Sequence, residues 1–194
     1  MKQRNMYCRE GALLLPITKH RRKGDNMSFK EVGYDSLKLN PFVMLKDEWA
    51  LLSAGDSQNH NTMTVAWGSF GVMWSVPVMT VVVRPQRYTC EFVESSGLFT
   101  VCFFPDGNQK VLGLLGTKSG RDCDKIAESG LTPTFIDDTI AFEEANLVFL
   151  CRKLHGGQQL DASKFIDKSV EAKYYPEKDY HFFYIGEIVK VLQK

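Results

Sequence analysis

The sequence has no histidine pair at metal-binding spacing, no CxxC, and no apolar run near the roughly 20 residues that a membrane helix requires. His20, His60, His155 and His181 stand alone, which argues against metal-dependent hydrolysis. The apolar run at residues 78–83 is cut off by Arg84 and Pro85. Cys8, Cys90, Cys102, Cys123 and Cys151 are odd in number and scattered, the pattern of free thiols in a reducing compartment, so a cytoplasmic location is expected. There is no GxGxxG for a Rossmann dinucleotide site and no GxSxG nucleophile elbow. Gly116-Thr117-Lys118-Ser119 lacks the glycine that must precede a P-loop lysine. Charge of one sign is also missing. With 24 Lys+Arg against 23 Asp+Glu, a net +1 gives no field for nucleic acid or an acidic membrane, and any anion site must be local.

Across 194 residues, 44% are hydrophobic and 12% aromatic, enough for one substantial core. The first 26 residues read as an extension outside the domain at 27–194. Their basic residues surround only a short apolar run at 12–17, without the apolar length or cleavage site of a signal peptide. Residues 23–27 can be encoded by AAA GGA GAT AAC ATG, a purine-rich ribosome-binding sequence ahead of a start codon, so synthesis is expected to begin at Met27.

The pattern is mainly β with short helices. Met63, Val65 and Trp67 alternate with Thr62, Thr64 and Ala66, the period of a half-buried strand that Gly68 and Gly71 are expected to break. The β-branched run at 78–83 reads as a strand covered on both faces. Thr89 is the expected N-cap of a helix at 90–95, followed by a strand at 98–104 and a helix at 108–115. Asp122 is expected to cap a third helix at 123–129 that Gly130 stops. Strand composition returns at 145–154 and 182–192, where Gly186 suggests a bulge or close packing.

Two basic turns flank the 98–104 strand. Arg84 and Arg87 bracket Pro85 just before Thr89 and a helix start, and Lys118-Ser119-Gly120-Arg121-Asp122 precedes another helix with Lys125 inside it. Guanidinium forks and amide groups at helix starts match phosphate oxygens. Either turn alone is equally an ordinary solvated strand end or capped loop. Trp67 and Trp74, with Gly68 and Gly71 between them, could wall a planar ring or simply pack a core. Cys123, at the expected helix start, is a candidate reactive thiolate without a partner cysteine nearby.

Three ordered motifs, Asn61-Thr62-Met63-Thr64-Val65-Ala66-Trp67-Gly68, Arg84-Pro85-Gln86-Arg87-Tyr88-Thr89 and Ser119-Gly120-Arg121-Asp122-Cys123-Asp124-Lys125, together resemble the flavin reductase-like family, its flavoredoxin branch in particular. Tyr175-Pro176-Glu177-Lys178-Asp179-Tyr180-His181 and Tyr184-Ile185-Gly186-Glu187-Ile188 resemble its closing strand, and the match spans residues 41–194. The resemblance implies an antiparallel split β-barrel, a homodimer with noncovalent FMN near the interface. By motif position, Asn61, Thr62, Met63 and Thr64 would follow the flavin's polar edge, with Ala66, Trp67 and Gly68 beside the ring. Arg84, Arg87, Thr89, Ser119, Gly120, Arg121, Asp122 and Lys125 would form the phosphate and ribityl region. Ala66 departs from the serine common in this branch, which removes one hydrogen bond to the flavin.

Such a protein needs no catalytic acid or base of its own, because the cofactor carries the chemistry. Two classes follow from the resemblance: a reductase taking hydride from NADH or NADPH to flavin or another small acceptor, and a flavoredoxin-like carrier reduced by a protein partner. A dimeric scaffold without flavin is disfavoured by the intact phosphate-side motifs. Intact-mass spectrometry of natively expressed protein should give an amino terminus at Met27; a mass starting at Met1 would refute that expectation.

Overall fold

A computed structural model describes residues 29–194, so the extension and the expected start at Met27 lie outside the described residues. Ten strands are described: β1 (Lys30–Val32), β2 (Ala50–Gly55), β3 (His60–Val65), β4 (Gly68–Met73), β5 (Val76–Val83), β6 (Leu98–Phe103), β7 (Pro133–Ile136), β8 (Thr139–Phe142), β9 (Leu147–Gln159) and β10 (Phe182–Gln193). The helices are α1 (Pro41–Val43), α2 (Tyr88–Ser95), α3 (Gln109–Thr117), α4 (Lys125–Ser129) and α5 (Lys168–Tyr174). This is the expected architecture of antiparallel strands with short helices.

The main sheet runs β3-β2-β6-β9-β10-β5-β4, with β1 attached to β10. β10 pairs with β9 along its length, while its other edge serves β5 at Phe182–Glu187 and β1 at Val191–Gln193. β3 and β4 stand at opposite ends of this path, yet only Ala66 and Trp67 join them. Three peptide steps span at most about 11 Å, so the sheet must curl until its ends nearly meet. Among the described residues no ladder joins them. The barrel is therefore closed by connectivity and split in its hydrogen bonding.

Alternation along each strand makes two cores. Leu52, Phe99, Val101, Phe103, Phe149 and Cys151 fill the barrel interior with Met79 and Tyr184. Their sequence neighbours Leu51, Cys102, Val148 and Leu150 face outward, under Leu112 and Leu115 of α3, Ile126 of α4 and Ile140 and Phe142 of the β7–β8 hairpin. Thr100 donates to Ile140 O at 2.6 Å and ties the hairpin to the sheet.

Several local expectations are corrected. The glycine-containing segment 68–73 is strand β4, because β5 supplies its partners and an edge position tolerates glycine. A Cβ on Gly68 would stand 2.4 Å from Thr80 O, so that strand approach requires glycine. Helix α2 starts at Tyr88, after a turn closed by Arg87 N–H donating to Arg84 O (3.0 Å), which places Thr89 inside the helix rather than at its cap. Helix α4 starts at Lys125, because Asp124, not Asp122, accepts from Ala127 N–H (3.0 Å). Gly130 ends it with φ 73°, as expected.

Gly186 meets both expectations placed on it. The β9–β10 register shifts beside it, and a Cβ there would lie 2.6 Å from Phe99 Cζ and 2.8 Å from Cys151 Cβ. Gly186→Ala should therefore cost about 1–3 kcal/mol by overpacking a fully buried site, read as a lowered urea midpoint at unchanged slope. An unchanged midpoint would show that the ring of Phe99 moves freely.

Candidate functional site

Where the barrel is split, the ends of β3 and β5 leave an open cavity of about 210 Å³. Met63, Thr64, Ala66 and Trp67 line one side, and Val82, Arg84, Arg87 and His181 the other. Trp67 is 44% exposed at its mouth, and its ring meets Tyr174 of α5 edge-on at 5.3 Å and His181 at 5.2 Å. Trp74, which the sequence allowed as a second wall, lies in the β4–β5 turn, outside this lining.

The outer face of β3 lies under α3, so its polar groups are spent internally. Thr62 is fully buried, its hydroxyl 2.7 Å from that of Ser53 and 3.3 Å from Leu52 O. The Thr64 hydroxyl donates to Leu112 O. Asn61, also buried, donates to the Thr89 hydroxyl at 3.2 Å. Its Oδ1 would be 2.7 Å from a Cβ on Gly120, so glycine is what lets the Ser119–Asp122 turn come this close.

The cations of the two basic turns divide into two kinds. Arg84 pairs with Asp179, donates to Tyr174 O at 2.7 Å and so fastens the segment between β9 and β10 to the cavity rim. Gln86 also donates to Asp179 (2.7 Å); these bonds hold its carboxyl below the usual carboxylate range. Arg121 pairs with Glu91 and lies 4.6 Å over the Tyr88 ring. Arg87 and Lys125 make no ion pair with a carboxylate among the described residues. Arg87 donates to Gly116 O at 2.9 Å, and Lys125 Nζ to Leu115 O and Lys118 O at 3.0 and 3.1 Å. These carbonyls at the end of α3 hold the cations by their dipoles without neutralising them.

Lys125 is only 4% exposed. Burial first, and then the charge of Arg87, push its pKa down to about 8. A buried ammonium beside a guanidinium is a setting that an anion completes. His181, bonded through Nδ1 to the Tyr175 hydroxyl at 2.8 Å, is pushed down to about 4 by burial and then by Arg84, and is neutral at pH 7.

Of the residues singled out in the sequence, Met63, Thr64, Ala66, Trp67, Arg84 and Arg87 share the cavity, while Asn61 packs with Thr89 and Gly120, and Lys125 is buried against the end of α3. Gly68 begins β4, and Ser119, Arg121 and Asp122 form the outer turn. Val82 was not singled out, and Asp179 and His181 entered only within the closing motif, with no site role. His181 reaches the cavity only because β10 pairs with β5, a long-range register with no local signal. Cys123 precedes α4, and burial and then Glu128 raise its pKa, which disfavours the candidate thiolate; the four described cysteines are free.

Residues 45–194 match the family model described as a flavin reductase like domain. The chain belongs to the flavin reductase-like family. Among solved structures it is similar to an FMN-binding domain of a flavin reductases-like enzyme from Shewanella baltica (18% identity, 88% of this chain and 79% of that one, TM-score 0.62). It is also similar to flavoredoxin from Methanosarcina acetivorans (25%, 76% and 68%, TM-score 0.57) and to an NADH:FAD oxidoreductase from Streptomyces globisporus (12%, 76% and 75%, TM-score 0.58). No curated protein matches the chain significantly. These likenesses agree with the split barrel. Among the described residues no helix is long and apolar enough to cross a membrane.

The lowered pKa of Lys125 has a measurable sign. Between its folded value of about 8 and its ordinary 10.5, the unfolded chain binds more protons, so stability rises with pH across that window. Lys125→Met should flatten that rise in urea midpoints measured from pH 7.5 to 10. An identical slope in the variant would place the ammonium in water.

Proposed function

We propose that the protein binds FMN noncovalently along the barrel seam and transfers hydride or electrons from NADH or NADPH to flavin or another small acceptor. The observation that carries this reading is Arg87, which shares the cavity lining with Trp67 and pairs with no carboxylate among the described residues, and which acts on the equally unpaired, buried Lys125 at the same end of α3. A phosphate would supply the missing charge, and Arg87 can meet its oxygens in pairs. Trp67 and Met63 offer an apolar wall to a planar ring, and Ala66 leaves that wall without a hydroxyl. FMN, when bound, supplies reversible hydride and single-electron transfer, which removes any need for an acid–base triad in the polypeptide. Neutral His181 adds hydrogen-bonding capacity at the rim without adding charge.

The cavity is smaller than the ~300 Å³ usual for an enclosed small-molecule site, and it is open. A second copy of the chain would complete it. Strand β4 ends one side of the sheet, and its Val72, Met73 and the following Trp74 are 74%, 42% and 61% exposed, the kind of apolar edge that a homodimer covers.

The carrier reading, in which a redox protein partner reduces the flavin, is favoured by one observation: identity to the flavoredoxin is 25%, against 12% to the NADH:FAD oxidoreductase. Spectra of the purified protein separate the two. Yellow protein bleached anaerobically by NADH or NADPH indicates the reductase, and yellow protein bleached only by dithionite indicates the carrier. Colourless protein that takes up no added FMN would overturn both. Arg87→Ala should remove a charge-assisted bond of roughly 1.5–3 kcal/mol and weaken FMN at least about tenfold in a fluorescence titration. Unchanged affinity would place the phosphate elsewhere.

A further inference from the structure

His181 forms part of the cavity wall, and Tyr175 stands directly behind it. The two are 8% and 6% exposed, and their rings meet edge-on at 5.5 Å. The Tyr175 hydroxyl lies 2.8 Å from His181 Nδ1, and neither atom has another hydrogen-bond partner among the described residues. Packing fixes the pair from several directions. Tyr175 lies against Tyr180 at 5.1 Å and Phe165 at 5.6 Å, with the Arg84 guanidinium 5.3 Å over its ring, and the Trp67 ring is 5.2 Å from that of His181. Arg84 in turn is bound to Asp179 and to Tyr174 O, on either side of Tyr175 in the chain.

His181 Nε2 is in a different position from Nδ1. It has no hydrogen-bond partner among the described residues, yet the buried side-chain atoms sealed off without a partner are Thr139 Oγ1, Arg152 Nε and Asp179 Oδ1. Nε2 therefore keeps accessible surface, and the open space that His181 lines is the cavity. A neutral imidazole carries one proton, so the bond made at Nδ1 decides what Nε2 shows to that space. If Nδ1 donated to Tyr175, the phenolic proton would have no acceptor among the described residues, and Nε2 would be an acceptor. If the phenol donates to Nδ1, no donor is left over and only oxygen lone pairs go unmet, which is the cheaper defect in a buried place.

We propose that Tyr175 is a positioning residue that holds His181 as the Nε2–H tautomer, so that the cavity wall offers an N–H donor to a carbonyl oxygen on the ring edge of the bound ligand. For that ligand the inference rests on the flavin reading. A donor at the ring edge stabilises the charge that ring oxygens gain on reduction, so it raises the reduction potential, and an acceptor in its place would lower it. The imidazole does this as a neutral group, leaving the anion-binding charge with Arg87.

The test is NMR of the full chain labelled with ¹⁵N-histidine, at pH 7 and without FMN, with the His181 signals assigned by their loss in His181→Leu. The wild-type ring should be protonated at Nε2 and bare at Nδ1. Tyr175→Phe keeps the aromatic ring, removes the hydroxyl and should give a mixture of the two tautomers. A wild-type proton on Nδ1, or the same tautomer population in both proteins, would overturn the proposal. After loading with FMN, the midpoint potential should fall in Tyr175→Phe and fall further in His181→Leu; equal potentials in all three proteins would overturn the donor's role toward the ligand. Circular dichroism establishes that each variant is folded. The tautomer is read without cofactor, so a failure of the flavin reading shows separately, as wild-type protein that takes up no FMN.

Discussion

The short link between β3 and β4 governs the rest of the molecule. Ala66 and Trp67 bring the two ends of the sheet together without a ladder between them, so a seam runs down the barrel and the ends of β3 and β5 face open space. A fully laddered barrel would fill that space with its own side chains. The alternation that fills the interior on one face and anchors α3 and α4 on the other keeps the seam in place. Helix α3 then consumes the polar face of β3 and delivers its terminal carbonyls to Arg87 and Lys125. Fold and site thus meet at one helix end.

Electrostatics divides the labour among residues that look alike in sequence. Arg84 and Arg87 are separated by two residues, yet Arg84 is neutralised by Asp179 and works as a fastener, whereas Arg87 keeps its charge for the cavity. Arg121 and Lys125 divide in the same way, the first against Glu91 and the second buried among carbonyls. Partner geometry, rather than residue type, decides which cations stay available to an anion.

Elements whose local chemistry agrees with their surroundings are legible in the sequence. The β-branched run at 78–83 is inside β5, and the helix expected at 90–95 is most of α2. Gly186 is legible as a tight spot, because a glycine inside an apolar strand has few other reasons to be there. Strand β4 is not legible: Gly-Ser-Phe-Gly-Val-Met carries weak strand propensity, and its conformation comes from pairing with β5. The motifs identify the cavity's Trp67, Arg84 and Arg87, but not that Arg84 is a fastener, because its carboxylate lies 95 residues away. Nor can a pattern at 119–125 reveal that Asp124 takes the cap, which moves Cys123 off the helix and removes the cause of a stabilised thiolate.

Lys125 also shows a cost that the fold accepts. A well-packed apolar residue at this position would avoid the desolvation of a charge whose partners among the described residues are carbonyls. Its cost is lowest when an anion is present, since the field of Arg87 that now opposes protonation would then be offset. An anion bound beside Arg87 and Lys125 would therefore stabilise the folded chain by linkage. The end of α3 also receives the Arg87 bond and lies against Thr64 through Gly116. The same few residues that would recognise an anion thus set how firmly α3 closes over β3.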